Sequence, residues 1–190
     1  MNTPAPLETF YKGYRFRSRL EARWAVFFDA LGIGWEYEPE AFDLGEGGYL
    51  PDFRLDAGPG GFGGFGSKMW AEVKAPDHLF PRARPFAKKV APILCLEGPP
   101  DLTAYFVETG VSATEARACF NIGPAVSGQA EDAPAWPVVL FRREGGAAVM
   151  LPRAKSRRLP NPNEALISAV AAARSARFEQ NRTAAESLHG

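Results

Sequence analysis

Histidine and cysteine are almost absent from this sequence. Two histidines, His78 and His189, and two cysteines, Cys95 and Cys119, are spread over 190 residues. So few histidines all but exclude a histidine-rich zinc centre or a Ser-His-Asp hydrolase. The cysteines are too few and too far apart for a disulfide framework or a metal-ligand spacing. Buried thiols in a reducing cytosol are therefore expected. No apolar run approaches the ~18 residues that a membrane helix needs, so no membrane partner is expected. The opening Met1-Asn2-Thr3-Pro4-Ala5-Pro6 carries neither a basic stretch nor an apolar one, and a secretory signal is not expected there. Net charge is missing too, with 22 Lys and Arg against 22 Asp and Glu. The whole-chain charge thus gives no signature of nucleic-acid binding.

Apolar residues make up 46% of the chain, enough to bury a core. The length suits one domain over residues 1–190. Charge is unevenly placed. Lys12, Arg15, Arg17, Arg19 and Arg23 crowd the first 25 residues, and Arg153, Lys155, Arg157, Arg158, Arg174, Arg177 and Arg182 the last 40. Residues 29–56 hold eight acids against Arg54 alone. An acidic centre between basic ends fits a metal site flanked by phosphate-binding surfaces, though ordinary solvated charge gives the same pattern.

The spacing of Leu20, Trp24, Val26, Phe27, Phe28 and Leu31 predicts a helix over 18–31, stopped by Gly32. Strands are expected at 35–40, at 48–55 with Pro51 marking an edge or bulge, and at 69–75. A glycine-rich loop at 58–66 joins the last two and should be mobile. A helix around 77–90 is short or broken, because it carries Pro81 and Pro85. Strands at 92–98 and 103–107, a variable stretch at 109–135, a hairpin at 137–151 turning near Gly145-Gly146, a basic link at 152–162 and a helix at 163–181 complete the chain. The last helix offers Leu166, Val170, Ala173 and Ala176 for docking on a sheet. This order predicts an α/β or α+β fold with a central mixed sheet flanked by helices.

One constellation carries chemistry. Asp52 follows Pro51, and nineteen residues later comes Glu72-Val73-Lys74. Side chains two apart on a strand share a face, so Glu72 and Lys74 project together while Val73 faces the core. If the two strands pair across the glycine loop, Asp52 lies beside Glu72. Paired carboxylates are hard ligands that suit Mg²⁺ or Mn²⁺, and a lysine beside them can orient water or offset charge on a phosphate. Without a cation the two acids should repel, raising the pKa of at least one.

Asp52 with Glu72-Val73-Lys74 resembles the PD-(D/E)XK signature of the restriction-endonuclease-like nucleases. Ser18-Arg19-Leu20-Glu21 at the start of an aromatic-rich helix, followed by Tyr37-Glu38-Pro39-Glu40, is similar to the nuclease domain of TnsA-type transposon endonucleases and phage-encoded nucleases. The similarity covers residues 14–98. It implies a restriction-endonuclease-like core, Mg²⁺ as cofactor, and catalytic roles for Glu21, Asp52, Glu72 and Lys74. The metal would be held by Asp52, Glu72, the Val73 carbonyl and Glu21. The chain departs from the TnsA-type pattern at Glu38, where that pattern tends to have Gln.

The expected activity is metal-dependent phosphodiester hydrolysis, with DNA favoured over RNA, by an endonuclease of a phage or mobile element. Arg19, Arg23, Arg153, Lys155, Arg157 and Arg158 are candidates for gripping the nucleic-acid backbone. A homodimer or a partner protein is compatible with the basic final helix. Two rival readings stand beside this one: a catalytically silent nucleic-acid-binding module, and a structural or assembly protein on the same scaffold. Each residue also has a plainer role. Glu21, three after Ser18, completes a capping box. Asp52 could be a strand-edge acid. Glu72 and Lys74 could be a same-face ion pair, and His78 ordinary polar surface.

Overall fold

The computed structural model describes residues 9–45, 47–58, 62, 66–101, 105–108, 135–142, 148–152 and 164–178. The chain opens on a hairpin of β1 (Thr9–Tyr11) and β2 (Tyr14–Phe16). Its turn is Lys12-Gly13, both with positive φ, the conformation that a two-residue hairpin turn requires. Helix α1 (Arg19–Ala30) follows. Ser18 caps it from an extended conformation, its Oγ accepting from the Glu21 amide at 3.2 Å. At the other end the Gly32 amide donates to Asp29 O and the Ile33 amide to Phe28 O. That bond pair closes a Schellman motif, and Gly32 meets its need for a left-handed residue with φ of 64°. Gly32→Ala is therefore expected to cost about 1 kcal/mol in urea unfolding, with an unchanged slope.

The main sheet has seven strands in the order β11-β10-β9-β8-β7-β6-β3. These are β3 (Gly34–Tyr37), β6 (Phe53–Asp56), β7 (Lys68–Lys74), β8 (Ile93–Glu97), β9 (Tyr105–Glu108), β10 (Ala135–Arg142) and β11 (Ala148–Pro152). Only β7 and β8 run parallel, linked through α2 (Ala83–Lys89), so the sheet is mixed. A two-stranded ribbon of β4 (Phe42–Asp43) and β5 (Gly48–Tyr49) stands apart.

Alternation along the strands divides the core in two. Phe53, Leu55, Ala71, Val73, Leu94 and Leu96 face one side and pack against α1 and the last helix, α3 (Glu164–Ser175). Ile93, Cys95 and the half-buried Trp70 face the other, where Phe86 of α2 and the β4–β5 ribbon cover them. The architecture is a mixed α/β sandwich with helices on both faces of the sheet. Among the described residues no helix is long and apolar enough to cross a membrane.

Several boundaries differ from the sequence expectation. The stretch 48–55 is two strands, not one. Pro51 has no amide to give the ladder, and the chain leaves β5 before entering β6. Pro85 stands in the first turn of α2, where its missing N–H costs nothing, so it starts that helix rather than breaking it. Helix α3 packs chiefly on α1, and Ala176 falls beyond its end. In the glycine-rich loop Phe62 is fully buried in the main core, and residues 59–61 and 63–65 lie outside the described residues. Cys95 is a buried thiol on β8. Cys119, the 109–134 stretch, the Gly145-Gly146 turn and the 153–163 link lie outside the described residues.

Candidate active site

Antiparallel pairing of β6 with β7 places Phe53 opposite Ala71. One step further, Asp52 falls opposite Glu72, as the alternation predicts. The Val73 amide donates to Asp52 Oδ2 at 2.7 Å. In a strand the N–H and C=O of one residue point toward the same neighbour. The Val73 carbonyl is therefore directed to the side where β6 has not yet begun. Glu72 and Lys74 share a face, and the Lys74 ammonium bonds Glu72 Oε1. Glu21 arrives from the first turn of α1, on the opposite side of the sheet. Its Oε1 accepts from Ser18 Oγ at 2.8 Å, and its Oε2 from the Arg17 amide at 3.1 Å and the Tyr37 hydroxyl at 2.6 Å. The capping role and the site position coexist in this residue.

Glu21, Asp52, Glu72, Val73 and Lys74 all line one open cavity of about 600 Å³. The three acids are 9%, 3% and 6% exposed, and with Thr9 they are the buried polar residues among those described. Burying acids without opposing charge is costly, so such grouping needs a reason beyond packing. Burial raises the Asp52 carboxyl well above the usual range, and the charges of Glu72 and Glu21 raise it further. The Val73 amide and Lys74 pull it back only partly.

The sequence pattern does not single out two tyrosines that hold these acids. The Tyr49 hydroxyl donates to Glu72 Oε2 at 2.9 Å, as Tyr37 does to Glu21. Burial and then the Glu72 charge push the Tyr49 phenol far up, so it stays a donor. Tyr37 is likewise raised, by burial and then by its bond to Glu21. Their spacing from the acids, 23 and 16 residues, hides both contacts from any local pattern.

Cations ring the cavity, and among the described residues they do not include the nominated Arg19 and Arg23. Arg19 is exposed on α1 and Arg23 half-buried, and neither lines the cavity. Arg153, Lys155, Arg157 and Arg158 lie outside the described residues. Arg17 and Arg82 line the rim instead. Arg82 lies over the Tyr49 ring and donates to Gly47 O at 2.7 Å. Beyond it, Arg84 and Lys88 stand exposed one turn apart on α2. His78 is exposed on the neighbouring loop, with Nδ1 3.0 Å from Pro76 O. It does not line the cavity.

No family model, curated protein or solved structure matches the chain.

As a cation site the cavity has a suitable donor set: hard carboxylate oxygens, mutual repulsion that a cation would relieve, and a backbone carbonyl on the same side. The carboxylates are nevertheless turned toward their own protein donors. Among the described residues no group of three or more His, Cys, Asp or Glu side chains stands as a formed metal cluster.

Proposed function

We propose that this chain is a divalent-metal-dependent nuclease with a restriction-endonuclease-like core, acting on phosphodiester bonds, preferentially those of DNA. The observation that carries this reading is the convergence of Glu21, Asp52, Glu72 and Lys74 in one cavity, with the Asp52 carboxyl raised by burial and then by its acidic neighbours. Asp52, Glu72, the Val73 carbonyl and Glu21 would hold Mg²⁺ or Mn²⁺. The bound cation supplies a water of lowered pKa and polarises a phosphoryl oxygen. Lys74 Nζ orients the attacking water and offsets charge that develops on the phosphate. Tyr49 and Tyr37 fix the Glu72 and Glu21 carboxylates. Arg82, Arg84 and Lys88 offer a path for the phosphate backbone away from the cavity.

A second reading has its own observation. The carboxylates already have protein donors, as a catalytically silent nucleic-acid-binding module would leave them. One experiment separates the two. The purified protein is incubated with supercoiled, linear, branched and single-stranded DNA and with single-stranded RNA, in Mg²⁺, Mn²⁺ or EDTA. Cleavage that needs the metal and is lost in Glu72→Gln supports the nuclease. Nucleic-acid binding without cleavage, and without a metal-induced rise in melting temperature, supports the silent module and sinks the nuclease. Tyr49→Phe removes the hydroxyl that donates to Glu72 Oε2 and is expected to weaken Mg²⁺ binding about tenfold in titration calorimetry.

A further inference from the structure

We propose that Arg17 is a displaceable counter-ion: it neutralises Asp52 until a divalent cation takes that role, and then serves the phosphate of the substrate. This rests on the nuclease reading.

The two partners are unequal. The Asp52 side chain is 4% exposed and that of Arg17 is 60% exposed, with Nη2 3.5 Å from Oδ1. At that separation the guanidinium touches the acid without being locked to it. The Arg17 backbone, by contrast, is well fixed. Its amide lies 3.1 Å from both Glu21 Oε2 and the Tyr37 hydroxyl. A fixed stem thus carries an exposed cationic head over the cavity that the acids line.

In the same position Nη2 of Arg17 also pairs with Glu38, its closer partner, whose side chain is 22% exposed. Glu38 has φ of 45°, a conformation that costs a non-glycine residue free energy and is retained where the surroundings require it. In that conformation its amide donates to Asp52 O at 2.9 Å. The strained residue therefore lies beside Asp52 and holds the same guanidinium. A divalent cation on Asp52 would repel Arg17. Glu38 keeps it at the rim, where its planar fork matches a phosphate better than an ammonium would.

Competition gives this arrangement a signature that neither a structural clamp nor a plain phosphate ligand shares. Mg²⁺ affinity is measured by titration calorimetry without nucleic acid. Affinity for a short DNA duplex is measured in Ca²⁺, across a salt series. Arg17→Ala is expected to bind Mg²⁺ about twofold to fivefold tighter, because a competing cation is gone. It should bind the duplex more weakly, with a log–log salt slope shallower by about one. Arg17→Lys should fall between it and the wild type. Glu38→Gln frees the guanidinium for Asp52 and should weaken Mg²⁺ binding, the opposite sign. Unchanged Mg²⁺ affinity in folded Arg17→Ala, or a loss of metal and duplex binding together, overturns the proposal. A wild type that binds Mg²⁺ and cleaves while Arg17→Ala does the same unaltered sinks this inference alone. A wild type that takes up no divalent cation sinks the nuclease reading with it.

Discussion

Asp52→Asn is expected to raise the melting temperature of the metal-free protein at neutral pH while abolishing cleavage and the stabilisation by Mg²⁺. The side chain is almost wholly buried, and burial, then Glu72 and Glu21, push its carboxyl well above the usual range. A raised carboxyl means that the fold favours the protonated form. Its stabilising contribution is complete below the unfolded value of about 4 and is lost as pH rises through the folded value. As pH rises from there toward neutral the wild type therefore loses that contribution progressively. Asparagine stays neutral and keeps an oxygen for the Val73 amide, which now sits 2.7 Å from Oδ2. The contact given up, with a largely exposed Arg17 at 3.5 Å, is worth little. The net gain should be on the order of 1–2 kcal/mol, or about 2–4 °C per kcal/mol for a domain of this size. Melting curves from pH 4 to 8 in EDTA check it. Relative to Asp52→Asn, the wild type should lose stability as pH rises, and Mg²⁺ should remove that difference. An asparagine variant that melts lower than wild type at pH 7 would mean that Asp52 is held as a satisfied structural acid, and the account of a site awaiting a cation would fail.

Much of this site is legible in the sequence because it obeys short-range periods. Ser18 and Glu21 lie one helical turn apart, and they form the expected cap. Glu72 and Lys74 lie two apart on a strand, and they share a face. The hairpin across the glycine loop sets Asp52 opposite Glu72. The polar surroundings are illegible for the converse reason. Tyr49 reaches Glu72 from the β4–β5 ribbon, whose strands are two residues each and too short to show alternation. Tyr37 sits on a strand that was expected, but nothing in its spacing says that its hydroxyl meets Glu21. The β1–β2 hairpin escapes for similar reasons, with three-residue strands and a Lys12-Gly13 turn in place of the commoner Asn-Gly. Charge misleads more than hydrophobicity does. Arg19 and Arg23 lie on the helix that carries Glu21, yet helical geometry turns them from the cavity, while Arg17 beyond the cap reaches it. Which cations serve a site depends on where the chain bends, and composition does not record that.

Glu38 has a physical role once Arg17 is considered with it. A neutral glutamine there would leave the guanidinium to Asp52, whereas a carboxylate divides it between two acids. Burial raises the Glu38 carboxyl, and Arg17 opposes that rise. The pair therefore keeps positive charge at the cavity mouth, shared between Glu38 and Asp52. This arrangement suits a site that must admit both a metal and a phosphate.

Lys74→Ala should act on the same cluster with the opposite sign. Lys74 bonds Glu72, whose side chain is 8% exposed, and is the cation nearest the buried acids on the β7 side. Its removal leaves Glu72 facing Asp52 with less positive charge nearby. The metal-free protein should lose about 1–3 kcal/mol, less than a fully buried pair would, because the lysine side chain is one-third exposed. Mg²⁺ should restore most of that loss, since it offsets the same charges. Cleavage should not recover, because the metal cannot replace the group that orients the attacking water. A fall of about 10²–10³-fold in single-turnover rate is expected at saturating Mg²⁺. Stability and rate thus separate. Asp52→Asn gains stability without metal and loses the metal response, whereas Lys74→Ala loses stability without metal and keeps that response, and neither cleaves. Full cleavage by Lys74→Ala in Mg²⁺ would reduce the lysine to a structural counter-ion and leave the acids to perform the chemistry alone. Melting curves with and without Mg²⁺, run beside the single-turnover assay, distinguish these outcomes.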